Sequence, residues 1–363
     1  MTAPPSATPA YPDIKPPVTS VGVIGWMRAN LFNSWLNSIL TVLVAAGLWK
    51  TVPPFFRWAF VDSLWTSTGE ACHAAGGACW SIIPANIRFI FFGFYPVDQQ
   101  WRPLLAMILL ILLILVTRNR KWWGRFLAWA WAVGLIAMGI LMRGGILGLS
   151  PVESTQWGGM PLTMILAIFG LTAAYPLGVV LALGRQSRMP AIKALCVIYI
   201  ELIRGVPLIS LLFMSSIIFP LFLPEGVTIN KIIRAQAAII LFTAAYIAEV
   251  VRGGLQAIPK GQFEAAESLG LNYVKTMRLV VLPQALKIVI PPTVSILISA
   301  FKDTSLVVII ALYDILKTTQ STLSNPKWMG FSTEAYIFLA VIYFICCFFM
   351  SNWSRQLEKD LST

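Results

Sequence analysis

Four groups of residues in this 363-residue chain have types and spacings that could do chemistry. The first lies between residues 258 and 286. It reads Ile258-Pro-Lys-Gly-Gln-Phe-Glu-Ala-Ala-Glu-Ser-Leu-Gly-Leu and continues to Leu282-Pro283-Gln284-Ala285-Leu286. Pro259 suits a helix start. Glu264 falls in the first turns, where a carboxylate favours the positive end of the helix dipole. Ala265 and Ala266 are strong helix formers, and Gly270 is a natural stop. Val274, Met277, Val281 and Leu282 then share one side of a second amphipathic piece, and Pro283 starts the next element. The spacing predicts two short helices in a bent hairpin with a small-residued, acidic face. Such a face serves either an interfacial amphipathic helix or an element docked in another protein's groove.

The second group is ionic. Glu201 with Arg204, and Glu249 with Arg252, each lie three apart, on one face of a helix. The third is the polar run Lys302, Asp303, Thr304 and Ser305 inside an apolar stretch. It supplies an anion for an ammonium and donors for a carboxylate, the two needs of a zwitterion. Alternatively it is a polar contact between helices or subunits. The fourth is Cys72 and Cys79, which flank Gly76 and Gly77 in a polar loop with the lone histidine, His73. They form a disulfide if the loop faces an oxidising compartment, and are otherwise loop filler. A zinc site needs four ligands where three are offered, so no metal is expected.

These groups must be positioned by helices in a bilayer. The chain is 58% hydrophobic and only 12% charged, with a mean hydropathy of +0.77. A soluble domain carries about a quarter charged residues. A spanning helix needs about 20 apolar residues, and about eight such stretches occur. They are near residues 34–56, 103–116, 126–142, 161–183, 194–221, 233–251, 286–316 and 335–350. The fifth is broken at Gly205–Pro207 and the seventh at Pro291–Pro292. The apolar patch 80–94 reads as an interfacial or re-entrant piece outside that count. Residues 1–33, rich in Pro, Ala, Ser and Thr at their start, read as a disordered tail with no signal peptide.

The net charge of +12 reflects basic residues clustered between apolar runs, not a nucleic-acid surface. Arg118, Arg120, Lys121 and Arg125 follow the second stretch. Arg185, Arg188 and Lys193 follow the fourth, and Lys260, Lys275 and Arg278 follow the sixth. The positive-inside rule then places both termini in the cytoplasm and the loop 62–102, with its cysteines, outside. Up to about Ser150 the spans hold few polar interruptions. After Met160 they contain charges, prolines and glycines, as a functional bundle does.

Glu264-Ala265-Ala266, Gly270 and Leu282-Pro283 resemble the EAA signature of type I ABC importer permeases. Tyr246-Ile-Ala-Glu249-Val-Val-Arg252-Gly-Gly, Glu201-Leu-Ile-Arg204-Gly-Val-Pro207-Leu, Pro259-Lys-Gly-Gln262-Phe-Glu264 and Lys302-Asp303-Thr304-Ser305-Leu306 are similar to the polar amino acid subfamily. Val206 departs from the pattern, since many relatives carry Thr there; the backbone break is kept. The resemblance implies an all-α integral membrane fold. A five-helix core at 160–355 would follow an extension of three helices at 34–150, which looks like that of the longer permease M subunits of general L-amino acid transporters.

The resemblance further implies that 258–286 is a cytoplasmic coupling loop. Gln262, Glu264, Ala265, Ala266, Ser268 and Gly270 would meet a dimeric ABC ATPase. Glu201, Arg204, Lys302, Asp303, Thr304 and Ser305 would line the amino acid path. A second homologous permease, an extracytoplasmic solute-binding protein and the lipid of a bacterial inner membrane are the other implied partners. No Walker A pattern occurs in the sequence, so ATP and magnesium would sit on the ATPase and this chain would carry no catalytic residue. Three alternatives stand beside this reading. One is an ion-coupled secondary carrier, against which the docking hairpin argues. Another is an intramembrane enzyme, for which no nucleophile–base pair is visible. The third is a partner permease that lacks the substrate site.

Overall fold

The computed structural model describes residues 22–362, excepting the side chains of residues 120 and 360–362. By its packing the chain forms two units, Met1–Trp80 and Ser81–Thr363. The first contains α1 (Gly22–Asn30), α2 (Trp35–Phe56) and α3 (Gly69–Ala74). The expected tail is therefore helical over Gly22–Asn30, where a run of Val, Ile, Trp and Met replaces the Pro-rich composition; residues 1–21 lie outside the described residues. Ser34 caps α2 by accepting from the Asn37 amide at 3.2 Å. Pro53 and Pro54 lie inside α2 and cannot donate backbone hydrogen bonds. The helix continues through a π turn at Arg57–Val61. Beyond it Cys72 and Cys79 are bonded, with Cα atoms 5.6 Å apart. The Trp80 indole nitrogen donates to the Ala59 carbonyl at 2.7 Å, holding the loop against the end of the span.

The second unit begins with α4 (Ile82–Phe92), α5 (Trp101–Arg118) and α6 (Arg125–Arg143). α7 (Gly159–Arg185), α8 (Pro190–Gly205), α9 (Leu208–Phe213) and α10 (Lys231–Gln256) follow. Next come α11 (Lys260–Ser268), α12 (Tyr273–Thr276) and α13 (Leu282–Asp303). A two-residue strand β1 (Tyr313–Asp314), α14 (Ile315–Leu323) and α15 (Ser332–Ser362) complete it. Among the described residues seven helices are long and apolar enough to cross a membrane, or eight if the bent α8–α9 pair is one span.

The core sits where α7, α10 and α13 meet. Ala174, Ala182, Ala244 and Ala248 are all buried there with Ile247, Val251 and Val289. Small side chains let the helices approach closely, and packing takes the place of a hydrophobic drive that lipid does not supply. α5 and α6 pack on the opposite side of α7 through Ala106, Leu110, Met138 and Met142. Arg102 is buried there at 1% exposure. It donates to the Leu141 carbonyl at 2.7 Å, at the C-terminal end of α6, where cations are favoured, and at 2.8 Å to the Ser150 carbonyl in the loop that follows.

Two spans differ from their sequence expectation. The fifth is two helices bent by 102°. Pro207 lacks an amide hydrogen and begins α9 in extended geometry. The seventh begins earlier, because α12, a π turn at Met277–Val281 and α13 run on as one helix from Tyr273. Pro283 does sit in the first turn of α13, but that turn lies inside a longer rod instead of opening a separate span. That span also ends earlier, in a 3-10 turn at Thr304–Ile310. Residues 315–316 belong instead to α14, a short threonine-rich helix against α4 and α7.

Candidate functional site

α10 leads directly into the hairpin. Residues 257–259 turn the chain, and α11 presents Gln262, Glu264, Ala265, Glu267 and Ser268 to the exterior. Ala266 points the other way and is buried at 2% exposure, with Ile258 and Met277 in the nearby core. α11 ends at Gly270, whose φ of +74° favours glycine. The Leu271 amide reaches back to the Ala266 carbonyl at 3.1 Å and the Gly270 amide to Glu267 at 2.9 Å. This paired closure satisfies carbonyls that the helix end leaves open. Asn272 caps α12 at once, its side chain accepting from Lys275 N at 2.9 Å. The Gln284 side-chain amide donates to Gln262 Oε1 at 3.1 Å, tying the two arms. The result is a short helix held rigidly off the end of the bundle, with an exposed face formed by Gln262, Glu264, Ala265, Ser268 and Gly270.

A cavity of ≈ 400 Å³ lies between α9, α10 and α13. Leu208, Ile239, Phe242 and Ile296 give it an apolar lining, and Thr243, Tyr246, Ser295, Ser299 and Asp303 are its polar groups. Ser295, Ser299 and Asp303 recur every four residues, so α13 turns one polar stripe to the cavity. Ser295 and Ser299 are exposed, which leaves that side open. A concave, mostly apolar site with a few converging polar groups is what a small polar solute requires.

An ionic cluster adjoins the cavity. The Arg204 guanidinium lies 5.7 Å from the centre of the Tyr246 ring, and Tyr246 lines the cavity. Arg204 Nη1 is 3.5 Å from Glu249 Oε2, and Arg185 Nη1 is also 3.5 Å from that oxygen and 2.9 Å from Glu201 Oε1. Arg252 Nε donates to the other Glu249 oxygen at 3.0 Å and its Nη1 to Gln256 at 2.7 Å. Glu249 therefore serves three arginines, and the cluster joins the end of α7, the last turns of α8 and the end of α10 just before the hairpin.

The structure rearranges the pairs that sequence spacing suggested. Glu249 and Arg252 do pair within α10. Glu201 meets Arg185 of α7, and Arg204 meets Glu249 of α10. In the polar run only Asp303 lines the cavity. Lys302 is exposed. Thr304 is buried, with its hydroxyl donating to Phe301 O at 2.7 Å, and the Ser305 hydroxyl donates to Lys302 O at 2.8 Å. The run sits at the end of α13, not in mid-span. Thr243, Ser295 and Ser299 were missed by sequence reasoning, although the four-residue spacing to Asp303 was there to be read. Among the described residues no group of three His, Cys, Asp or Glu side chains is placed to hold a metal ion.

Residues 174–363 match the family model described as "Binding-protein-dependent transport system inner membrane component". The chain is 50% identical over 345 residues to the inner membrane amino-acid ABC transporter permease protein YhdY of Escherichia coli (strain K12), covering 93% of each. It is 38% identical to the glutamate/glutamine/aspartate/asparagine transport system permease protein BztC of Rhodobacter capsulatus, covering 95% of each. A solved structure titled "Crystal structure of an amino acid ABC transporter with histidines" superposes with a TM-score of 0.51 at 31% identity. That match covers 56% of this chain and 92% of the other. The chain thus belongs to the binding-protein-dependent transport system inner membrane components, as a permease subunit of an amino acid ABC importer that is not itself an ATPase.

Proposed function

We propose that the cavity between α9, α10 and α13 forms one wall of the path for an L-amino acid, and that α11 is the coupling helix seated on an ABC ATPase. The observation that carries the first half is Asp303, an acid at the end of a hydroxyl stripe in a concave wall. Its carboxylate suits the substrate ammonium. Thr243, Ser295, Ser299 and the Arg204 guanidinium beside Tyr246 offer donors to the substrate carboxylate. Glu201, Lys302, Thr304 and Ser305 stand outside this wall, and we assign them to the framework.

The open side at Ser295 and Ser299 suits closure by a second, homologous permease. Two permeases with one hairpin each match a dimer of ATPases, which would hold ATP and magnesium. A solute-binding protein would deliver the amino acid at the opposite end. The basic loops support an orientation with both termini and the 258–286 hairpin in the cytoplasm, and the 62–102 segment with its Cys72–Cys79 bond in the periplasm. On this reading residues 160–355 are the type 1 core and 34–150 an extension. Closure of the ATPases draws the hairpins together, and the bundle rocks from inward- to outward-facing.

The test is amino acid uptake into proteoliposomes holding the whole complex with Asp303→Asn. Losing a charge-assisted contact worth about 1.5–3 kcal/mol should lower uptake at limiting substrate by roughly tenfold or more. Unchanged uptake would place the substrate site in the partner permease.

A further inference from the structure

Between residues 99 and 152 the sequence carries six basic residues and no acidic one. They lie on the α5–α6 hairpin, before the segment matched to the permease family, and four of them are at its turn, three with described side chains. Arg118 ends α5, Arg125 begins α6, and Lys121 lies in the 3-10 turn Arg120–Trp122 between them. All three are exposed, and among the described residues no carboxylate meets any of them.

The turn holding them is a built one. The Lys121 amide donates to Asn119 Oδ1 at 3.1 Å and the Trp122 amide to Asn119 O at 3.1 Å. The Trp123 indole nitrogen donates to Thr117 O at 2.8 Å, and that of Trp131 to Thr117 Oγ1 at 2.9 Å. Trp122 packs on Phe126 with ring centres 5.0 Å apart. Indoles mark the level where headgroups meet acyl chains. Away from the turn the exposed surface becomes continuously apolar: Ile111, Leu112 and Leu115 on α5, Trp129 and Val133 on α6. A cationic head region joined to a long apolar track has the chemical profile of one molecule, a phospholipid with an anionic headgroup.

We infer that the α5–α6 turn is a binding site for an anionic phospholipid, whose phosphate is held by Arg118, Lys121 and Arg125 while its chains lie along α5 and α6. A basic residue close to an anionic membrane surface contributes about 1 kcal/mol, close to fivefold in retention. Neutralising three should therefore cost well over tenfold.

The experiment is native mass spectrometry of the full chain, released from detergent after titration with dioleoyl phosphatidylglycerol or dioleoyl phosphatidylcholine. The intact protein should retain phosphatidylglycerol at least tenfold better. R118Q/K121Q/R125Q should lose that preference while retaining phosphatidylcholine as before, which shows that its lipid surface is folded. R188Q/K193Q, which removes two exposed cations elsewhere, should keep the preference. Equal retention of both lipids by the intact protein would overturn the proposal. So would a preference that survives the triple change or is lost equally in the control. Displacement of phosphatidylglycerol by an equal concentration of inorganic phosphate would mean the cluster takes the free anion, and would also overturn it.

Discussion

The Thr318 hydroxyl donates to the Ile90 carbonyl oxygen at 2.8 Å, across 228 residues of sequence. Ile90 lies in α4, before the segment that the family model matches, and Thr318 in α14, within it. The bond ties α4 to the element that follows the end of the cavity stripe. Both residues are buried, so the carbonyl has no water to fall back on when the hydroxyl is removed.

Thr318→Val should accordingly lower the melting temperature of the purified protein by a few degrees at most, consistent with about 1 kcal/mol for one hydrogen bond. Thr318→Ser should restore most of it. Gly93→Ala should cost more, because a Cβ there would come within 2.9 Å of Gly158 Cα and φ is +59°. Identical melting of Thr318→Val and the unaltered protein would show that the bond contributes nothing.

Asp314 begins α14 with one carboxylate oxygen accepting from the Lys317 amide at 2.9 Å, while its other oxygen has no hydrogen-bond partner. Burial pushes its pKa up from 3.8 to about 7, against the backbone hydrogen bonds and the Lys317 charge that pull it down. The folded protein then holds this proton more tightly than the unfolded chain does. Its contribution to stability falls as pH rises from about 4 to about 7, and the full penalty stands above that. Asp314→Asn keeps an oxygen for the cap and carries no charge. It should melt higher than the unaltered protein at about pH 8 and equally at about pH 4. A difference that does not change with pH would contradict the assignment.

Glu249 and Glu201 should differ sharply when neutralised. Glu249 serves Arg185, Arg204 and Arg252 and is only 24% exposed; among the described residues Glu201 serves Arg185 alone and is 55% exposed. Glu249→Gln leaves three partly buried cations around a neutral group, a loss of about 3 kcal/mol or more. Glu201→Gln should cost less than about 1 kcal/mol. Chemical denaturation in detergent would rank the two, and equal losses would mean the cluster is not centred on Glu249.

Much of this architecture was legible in the sequence, because apolar length alone marks a helix that must cross a bilayer. The hairpin was legible too, since Gly270 is a local stop and Gln262 to Ser268 a local helix. What escaped has long-range causes. Gly205-Val206-Pro207 announced a break, but no local rule sets a bend of 102°. Glu201 and Arg204 are spaced as an intrahelical pair, yet each meets a partner on another helix where α7 and α10 pack beside α8. α14 is threonine-rich, and its hydroxyls satisfy backbone carbonyls instead of water, so composition concealed a buried helix. The continuous rod through Pro283 was hidden because proline is tolerated in a helix's first turn and inside a longer one alike.

The central claim is that the exposed face of α11 transmits ATP hydrolysis to the bundle. Its most direct test is ATPase activity in lipid nanodiscs of the complete complex, with solute-binding protein and amino acid added. Glu264→Lys reverses a charge on the exposed face, and Gly270→Trp places a large side chain at a φ of +74° beside it. Both should abolish substrate-stimulated hydrolysis while the chain remains inserted and folded. Stimulation equal to that of the unaltered complex in both variants would contradict the account.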